Sequence, residues 1–404
     1  MKTRPWLTII GLDAGGYDSL TPDAQSALSH ATTIIGPQRH IDMLPDLAAK
    51  QIIWPVPFQE GIDILLDLRR HNEGDNQVVM LASGDPFWFG AGTQITRHLE
   101  AGEWQALPGA SCFSLAASQL GWAIETTSCL GLHAAPFSRL RPYLQPRRQI
   151  LATLRDGSAI AGLAGYLSDE DFADSQLTIL EALGSVQARI TTCRADALPD
   201  ITFQHPVMVG IKVAGHGRVM PQSAGLDDDW FQHDGQITKQ MVRAFTLSAL
   251  APSAGQHLWD LGAGSGSVSI EWLLSGPQMR ATAVEQHPER AARIRANADR
   301  LGVDWLTLCE SDNLSALSTL DRPDAIFIGG GLREPLLTAL WDIVPEGTRL
   351  VANGVTVETD RLLTGAQEQY GGTLTRLELS KLDKIGSMRG WKAAYPITQW
   401  VVIR

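Results

Sequence analysis

The sequence has few of the features that mark secreted, zinc-binding or membrane-spanning proteins. It contains 4 cysteines in 404 residues, and none forms a C-x-x-C pair or stands at zinc-finger spacing from a histidine. We therefore expect free thiols, a cytoplasmic location and no metal site. No window holds the roughly 18 apolar residues that span a bilayer, so we expect no membrane segment. The apolar stretch before Gly11 is too short for a signal peptide.

The chain also lacks clusters of positive charge. Lysine and arginine together number 33, against 44 aspartates and glutamates, which gives a formal net charge of -11. Proteins that track a phosphate backbone need cations in excess, so the composition argues against a nucleic-acid partner. An anionic ligand would have to meet individually placed arginines.

Apolar runs alternate with helical patterns along the chain, which is typical of parallel sheets with crossover helices. The alternation stops at "AGHGRVMPQSAGLDDD", a stretch rich in glycine and polar residues. We therefore predict an α/β protein with two domains, residues 1–215 and 226–404.

In the second half, "LWDLGAGSGSVSIE" places an apolar strand, a glycine-rich turn and a helix start in succession. A second predicted strand ends in Glu285, 23 residues after Gly262. In nucleotide-binding sheets an acid at this position accepts hydrogen bonds from the ribose hydroxyls. This pattern predicts a cofactor that carries a ribose.

The spacing of the glycines separates two classes of cofactor. The dinucleotide fingerprint G-x-G-x-x-G would need glycine at Ser267, whereas the glycines here are Gly262, Gly264 and Gly266. Asp260, two residues before the first glycine, would repel a pyrophosphate and attract the ammonium group of S-adenosylmethionine. The pattern therefore favours S-adenosylmethionine over a dinucleotide, with Asp260 and the three glycines as binding residues.

Three further residues are predicted to bind this cofactor. Asp312 and Asn313 follow the third predicted strand, where an adenine amino group is expected. Either residue could also cap the next helix, and the capping and binding roles are compatible. Thr238 lies near the start of the predicted helix "QITKQMVRAFTLSAL". It is interpreted either as part of a lid over the site or as a helix cap.

These motifs resemble a known family. The run from "GQITKQ" through "WDLGAGSGSVSIE" and "AVEQHPERAARIRANADRLG" to "FIGGG" is similar to the decarboxylating domain of the precorrin C5,15-methyltransferases of cobalamin biosynthesis. The resemblance covers almost all of residues 227–404. It implies a Rossmann-like class I methyltransferase fold that methylates C15 and releases carbon dioxide from the ring C acetate.

The first half is similar to the tetrapyrrole methylase family over about residues 6–210. The matching motifs include "GLDAGGYDSLTPDA", "IIGPQRH", "LASGDPFWFG", "LPGASCFSLAASQLGW" and "TLRDGSA". The resemblance implies two αβα subdomains with the cofactor in the cleft between them, and methylation at C5. The first loop departs from the family pattern G-x-G-P-G, because it has "GLDAGG" instead.

The predicted cofactor-binding residues of the first half lie in these motifs. Each could also be an ordinary turn residue, since glycine, proline and aspartate are common in sharp corners. The residues are Gly11, Ser83, Gly84, Asp85, Pro108, Gly109 and Asp156.

The resemblance also implies the substrate and the chemistry. A reduced tetrapyrrole, precorrin-6B, would gain two methyl groups and lose one carbon dioxide to give precorrin-8. Methyl transfer from a sulfonium is an in-line displacement, so orientation matters more than a protein nucleophile. The decarboxylation calls for cations and a proton donor beside the acetate.

The predicted catalytic residues are Arg389, Lys239 and His133, with Arg389 preferred because glycines surround it. Other candidate cations are Lys384, Arg139, Arg141, Arg147 and Arg148. Alternative functions are methylation of another substrate such as RNA, a first half that only holds substrate, and a cofactor-sensing module. "IFIGGGLREP" lacks the D/N-P-P-Y/F motif of base methyltransferases, which disfavours RNA. We also expect a homo-oligomer.

Overall fold

The computed structural model describes residues 5–72 and 76–404. The chain divides into two compact units. The first takes the described residues up to Ala135 together with Tyr143–Arg218, and the second takes Val219–Arg404. The short segment Pro136–Pro142, although it lies within the first half of the sequence, packs with the second unit.

The described part of the first unit contains two five-stranded sheets. The first sheet is formed by β1 Leu7–Leu12, β2 Thr33–Gly36, β3 Lys50–Ile53, β4 Val78–Ser83 and β5 Trp104–Leu107. The second sheet is formed by β6 Ser128–Gly131, β7 Gln149–Thr153, β8 Gln176–Glu181, β9 Arg189–Arg194 and β10 Val207–Lys212. The helices are α1 Pro22–Ser29, α2 Gln38–Ile41, α3 Phe58–Arg70, α4 Gly92–Thr96, α5 Cys112–Leu120 and α6 Ala159–Asp169.

The first sheet has the order β3-β2-β4-β1-β5, and all its pairs are parallel. Every residue of β1 is buried, which explains why its sequence is an unbroken apolar run rather than an alternating one. The second sheet has the order β6-β7-β10-β8-β9 and is mixed, with one parallel pair, β6 with β7.

The second unit contains a seven-stranded sheet and a two-stranded ribbon. The strands are β11 His257–Leu261, β12 Arg280–Val284, β13 Thr307–Cys309, β14 Ala325–Ile328, β15 Arg349–Gly354, β16 Thr373–Leu377, β17 Ser380–Ile385, β18 Met388–Ala393 and β19 Ile397–Ile403. The helices are α7 Gln240–Leu250, α8 Ser267–Leu274, α9 Pro288–Arg300, α10 Asn313–Ala316, α11 Glu334–Ile343 and α12 Val357–Tyr370.

The order of the large sheet is β13-β12-β11-β14-β15-β19-β16. The first five strands in this order are parallel, and β19 runs antiparallel between β15 and β16. Successive strands extend outward from β11 in one direction and then from β14 in the other. The carboxyl ends of β11 and β14 therefore form the switch point at which such sheets bind ligands.

Candidate functional site

The turn after β11 has a backbone that requires glycine. Gly262, Gly264 and Gly266 have φ values of +76°, +61° and +73°, a region that side-chain-bearing residues rarely adopt. The N–H groups of Gly262 and Ala263 donate to the carbonyl of Val284, at 3.0 and 2.9 Å. The turn is thus fixed against the carboxyl end of β12.

Glu285 follows β12, is 4% exposed and lines a cleft of about 750 Å³ beside this turn. One carboxylate oxygen accepts the N–H of Gly264 at 2.9 Å, and the other accepts the N–H of His287 at 3.0 Å. A carboxylate has about four lone-pair sites, so two remain. Glu285 therefore both holds the turn and keeps acceptor capacity for a ligand.

The same cleft is lined by most of the residues predicted for the second site. They are Thr238, Lys239, Gly262, Gly264, Glu285, Asp312 and Asn313. Gly266 does not line it. A Cβ at Gly266 would lie 2.9 Å from the Ile294 side chain, so this glycine is required for packing against α9.

Asp260, which was predicted to contact the cofactor, has its side chain buried beneath the turn. Its side chain is 1% exposed and does not line the cleft. One carboxylate oxygen accepts the N–H and the hydroxyl of Ser269, at 3.2 and 2.7 Å. Burial raises the pKa of Asp260 to about 6; the Ser269 bonds partly oppose the rise and the Glu285 charge adds to it. Asp260 thus positions α8 from beneath the turn.

Asp312 has the capping role that the sequence left open. It is the N-cap of α10, and one oxygen accepts the N–H groups of Leu314 and Ser315, at 3.1 and 3.0 Å. Hydrogen bonds from Ser315 and the backbone lower the pKa of Asp312. Its carboxylate is therefore ionised at the rim of the cleft.

Thr238 is not a helix cap. The N-cap of α7 is Lys239, which makes no side-chain capping bond. The N–H of Gln240 instead donates to Asp228 at 2.9 Å. The cap comes from a residue that is distant in sequence, and Thr238 is left as a residue of the cleft wall.

In the first unit, the loops after β1, β4 and β5 meet through glycine backbones. The N–H of Gly84 donates to Leu12 at 2.9 Å, and the N–H of Gly109 donates to Gly84 at 3.1 Å. A Cβ at Gly11 would lie 1.7 Å from the carbonyl oxygen of Gly84. Gly11 and Gly109 are therefore packing residues, and neither they nor Pro108 line the adjacent cavity.

That cavity has a volume of about 910 Å³ and largely apolar walls. The predicted residues that line it are Ser83, Gly84, Asp85 and His133. His133 lies 3.2 Å from the hydroxyl of Thr153 through Nδ1. Asp85 accepts the N–H of Phe87 at 2.8 Å. The aromatic side chains in the wall are Trp54, Phe58, Trp88, Phe89 and Phe113.

Asp156, which was predicted to bind the cofactor, does not line the cavity. It accepts hydrogen bonds from Ser158 at 2.5 Å, from the N–H of Ala159 at 3.2 Å and from Arg155 at 2.8 Å. The hydrogen bonds from Ser158 and Arg155 lower the pKa of Asp156 to about 2. Asp156 is the turn residue that starts α6.

Two families match this chain. The tetrapyrrole (corrin/porphyrin) methylases match residues 7–199, and the precorrin methyltransferase domain matches residues 229–404. A precorrin-6Y C(5,15)-methyltransferase [decarboxylating] from Sinorhizobium sp is 42% identical, over 98% of this chain and 96% of the relative. The chain belongs to the precorrin-6Y C5,15-methyltransferase family. The corresponding protein of Mycobacterium tuberculosis (strain ATCC 25618 / H37Rv) is 34% identical, over 98% of this chain and 100% of the relative.

Membership of the precorrin-6Y C5,15-methyltransferase family confirms the predicted enzyme class and the succession of a tetrapyrrole methylase fold and a Rossmann-like fold. Methyltransferases of this family use S-adenosylmethionine. A solved C-terminal domain of such an enzyme from Rhodobacter capsulatus is 44% identical, with a TM-score of 0.45, and covers 46% of this chain and 100% of that domain.

Among the helices in the described ranges, none is long and apolar enough to cross a membrane. Within the same residues, no group of three or more histidine, cysteine or acidic side chains is placed to hold a metal ion.

Arg389, the preferred catalytic residue, is not in the glycine-flanked loop that the sequence suggested, and a catalytic role for it stays a prediction. It lies on β18, is exposed, and faces Lys384 across the ribbon rather than covering the cleft in a loop. Arg139 is paired with Asp304 at 2.6 Å and Arg141 is buried over the ring of Trp230. Arg147 and Arg148 line neither cleft.

Two cations that line the second cleft are stronger candidates for contact with an anionic ligand. Lys239 lines it, with Nζ 3.8 Å from a carboxylate oxygen of Asp228. Arg333, which the sequence analysis missed, also lines it. Within residues 5–72 and 76–404, no carboxylate lies within ion-pairing distance of Arg333. Its position two residues after "FIGGG", in the loop that follows β14, was the available signal.

A buried ion-pair network behind the cleft was also missed. Arg243 is fully buried and donates to Glu271 at 2.5 Å and to Asp228 at 3.1 Å. It also donates to the backbone carbonyls of Thr238 and Leu226. This network ties the segment that carries Thr238 to helix α8. The signal was a single acid, Glu271, in an otherwise uncharged helix, because such a buried charge requires a partner.

The altered first loop uses a side chain where the family pattern has glycine and proline. Asp13 accepts the N–H of Gly15 at 2.8 Å and the hydroxyl of Ser19 at 2.6 Å. This Asx-type turn fixes the loop locally. Leu12, Asp13 and Ala14 line the cavity, so the substitution leaves the loop part of its wall.

Proposed function

We propose that the second unit binds S-adenosylmethionine in the cleft beside the glycine turn and methylates C15 of a precorrin. The observation that carries this proposal is the placement of Glu285 and Asp312 after the neighbouring strands β12 and β13, in the cleft that the glycine turn also lines. Glu285 would accept the ribose hydroxyls, and Asp312, with Asn313, would contact the adenine amino group.

In this proposal the cations of the second cleft hold the acetate that is lost. Lys239 and Arg333 are placed to bind and orient the ring C carboxylate before methyl transfer. Electrons released as carbon dioxide leaves would pass into the conjugated macrocycle, and a proton would be added to it. The protein's contribution is orientation and exclusion of water.

The first unit would methylate C5 in its own cavity. A volume of about 910 Å³ with apolar walls suits a cofactor and part of a large macrocycle. His133 lines this cavity and is placed to contact the substrate or to move a proton. Together the two units would convert precorrin-6B to precorrin-8.

A first unit that only holds substrate is the second candidate. It is favoured by one observation: Gly11, Pro108, Gly109 and Asp156 do not line the cavity. Equilibrium dialysis of the full chain with labelled S-adenosylmethionine separates the two. Two bound molecules per chain support methylation in both units, and one bound molecule supports the second candidate.

The variant Glu285→Ala assigns the sites in the same experiment. We expect it to lower the number of bound cofactors from two to one, because the ribose acceptor of the second cleft is gone. Glu310→Gln is the matched control, since Glu310 is paired with Arg295 at 2.6 Å and does not line the cleft. An E285A chain that still binds two molecules contradicts the assignment.

The homo-oligomer and the cytoplasmic location stay predictions. Self-association is supported by the ribbon β17–β18, which exposes several large apolar side chains. They are Leu382, Ile385, Met388 and Trp391. Sedimentation of the wild type and of Trp391→Lys measures this directly: a lower mass for the variant supports a contact between copies through the ribbon.

A further inference from the structure

Arg39 lies in α2 and lines the first-unit cavity. One of its terminal nitrogens donates to the hydroxyl of Ser83 at 2.7 Å, and the other lies 3.0 Å from Nε2 of His205. Ser83 ends β4 and His205 precedes β10, so residues from both sheets of the unit hold the guanidinium. Arginine has five N–H donors, which leaves three for a ligand.

The charge of Arg39 is not balanced by a carboxylate. In the part of the chain that the structure describes, no acidic side chain pairs with it. The other arginine that lines the cavity, Arg155, is paired with Asp156 at 2.8 Å. The two acids in the wall, Asp13 and Asp85, are used by their own loops.

The neighbours of Arg39 are neutral. Burial and the charge of Arg39 lower the pKa of His205, and the same two causes lower the pKa of His40 to about 4. Both imidazoles are therefore uncharged at neutral pH. The side chain of Arg39 is exposed rather than enclosed by protein. Its guanidinium is therefore open to a ligand in the cavity, and a bound carboxylate would supply the counter-charge that the protein does not.

We propose that Arg39 is a carboxylate-binding residue of the first-unit cavity. Its ligand is either an acetate or propionate of the tetrapyrrole or the carboxylate of the methionine group of S-adenosylmethionine. The planar fork of arginine fits a carboxylate through two parallel hydrogen bonds. Ser83 and His205 fix the fork in place before the ligand arrives. The proposal rests on C5 methylation by the first unit.

The test measures methyl transfer to C5 by full-length Arg39→Met and Arg39→Lys, with a 13C-labelled cofactor methyl. We expect R39M to raise one KM by about 10-fold to 100-fold, because the variant loses a charge-assisted hydrogen-bonded pair. R39K should raise the same KM less, because the positive charge remains. A raised KM for precorrin-6B identifies the substrate carboxylate, and a raised KM for S-adenosylmethionine identifies the cofactor carboxylate.

Arg155→Met is the matched control, because it removes a cation of the same cavity that is already paired. Thermal unfolding shows whether R39M folds, and R39K supplies the comparison if it does not. A wild type that adds no methyl at C5 contradicts the proposed function. A wild type that does, with both KM values unchanged in R39M and R39K, overturns the carboxylate site alone.

Discussion

The two clefts have similar volumes, about 910 and 750 Å³, but they are built in different ways. The first has apolar and aromatic walls and a single unpaired guanidinium, that of Arg39, among its described residues. The second has a polar rim of carboxylates and glycine backbone. Each cleft has a glycine-rich motif beside it, but glycine is required for different reasons. Gly11 is required because another backbone segment approaches it closely, and Gly262 because its φ is positive.

The two units differ in how deeply they bury their ion pairs. Arg243 and Glu271 are buried, whereas Arg69 and Glu103 in the first unit are partly exposed. We expect Arg243→Leu to lower the free energy of unfolding by about 3–5 kcal/mol, because it strands a buried carboxylate. The matched Arg69→Leu should cost about 1 kcal/mol or less. Urea unfolding of the full chain measures the loss of stability in each variant. Equal losses in the two variants would contradict the stated difference between the buried and the partly exposed ion pair.

Buried titratable groups give the units opposite responses to pH. The pKa of Asp260 is raised to about 6, so the folded chain binds more protons and loses stability as the pH rises from about 4 to 6. The pKa of His40 is lowered to about 4, so the folded chain binds fewer protons and loses stability as the pH falls from about 6.5 to 4. Each effect is about 3 kcal/mol.

Asp260→Asn and His40→Gln test these signs. The gain in stability of D260N over the wild type should be greatest at pH 7 and vanish near pH 4. The stability of H40Q relative to the wild type should instead increase toward pH 4. Urea unfolding at a series of pH values measures both, and parallel profiles for the two variants would contradict the assignment.

Alanine at two glycines separates close packing from backbone strain. Gly11→Ala should cost about 3 kcal/mol, because its Cβ would lie 1.7 Å from a backbone oxygen. Gly262→Ala should cost about 1–2 kcal/mol, because its nearest neighbour is 3.4 Å away and only the φ of +76° is unfavourable. Chemical unfolding decides between them; a larger cost at Gly262 would reverse the interpretation of the two motifs.

Sequence reasoning succeeded where one local feature determines the structure. The glycine turn, the alternation of strands and helices, and the cap at Asp312 follow from spacing and residue type. The side chain of Asp260 could not be placed, because its direction depends on the Ser269 hydroxyl. The loop expected around Arg389 is a strand for a similar reason: whether a glycine-flanked segment forms a loop or a ribbon depends on its pairing with β17.

The central claim is that one chain performs two methyl transfers in two separate clefts. The most direct measurement is mass spectrometry of precorrin-6B after incubation with S-adenosylmethionine and the full chain, wild type or E285A. We expect the wild-type product to gain two methyl groups and lose one carbon dioxide. The E285A product should gain one methyl group, at C5, and keep its acetate. An unchanged mass with the wild type, or two methyl groups with E285A, would contradict the account.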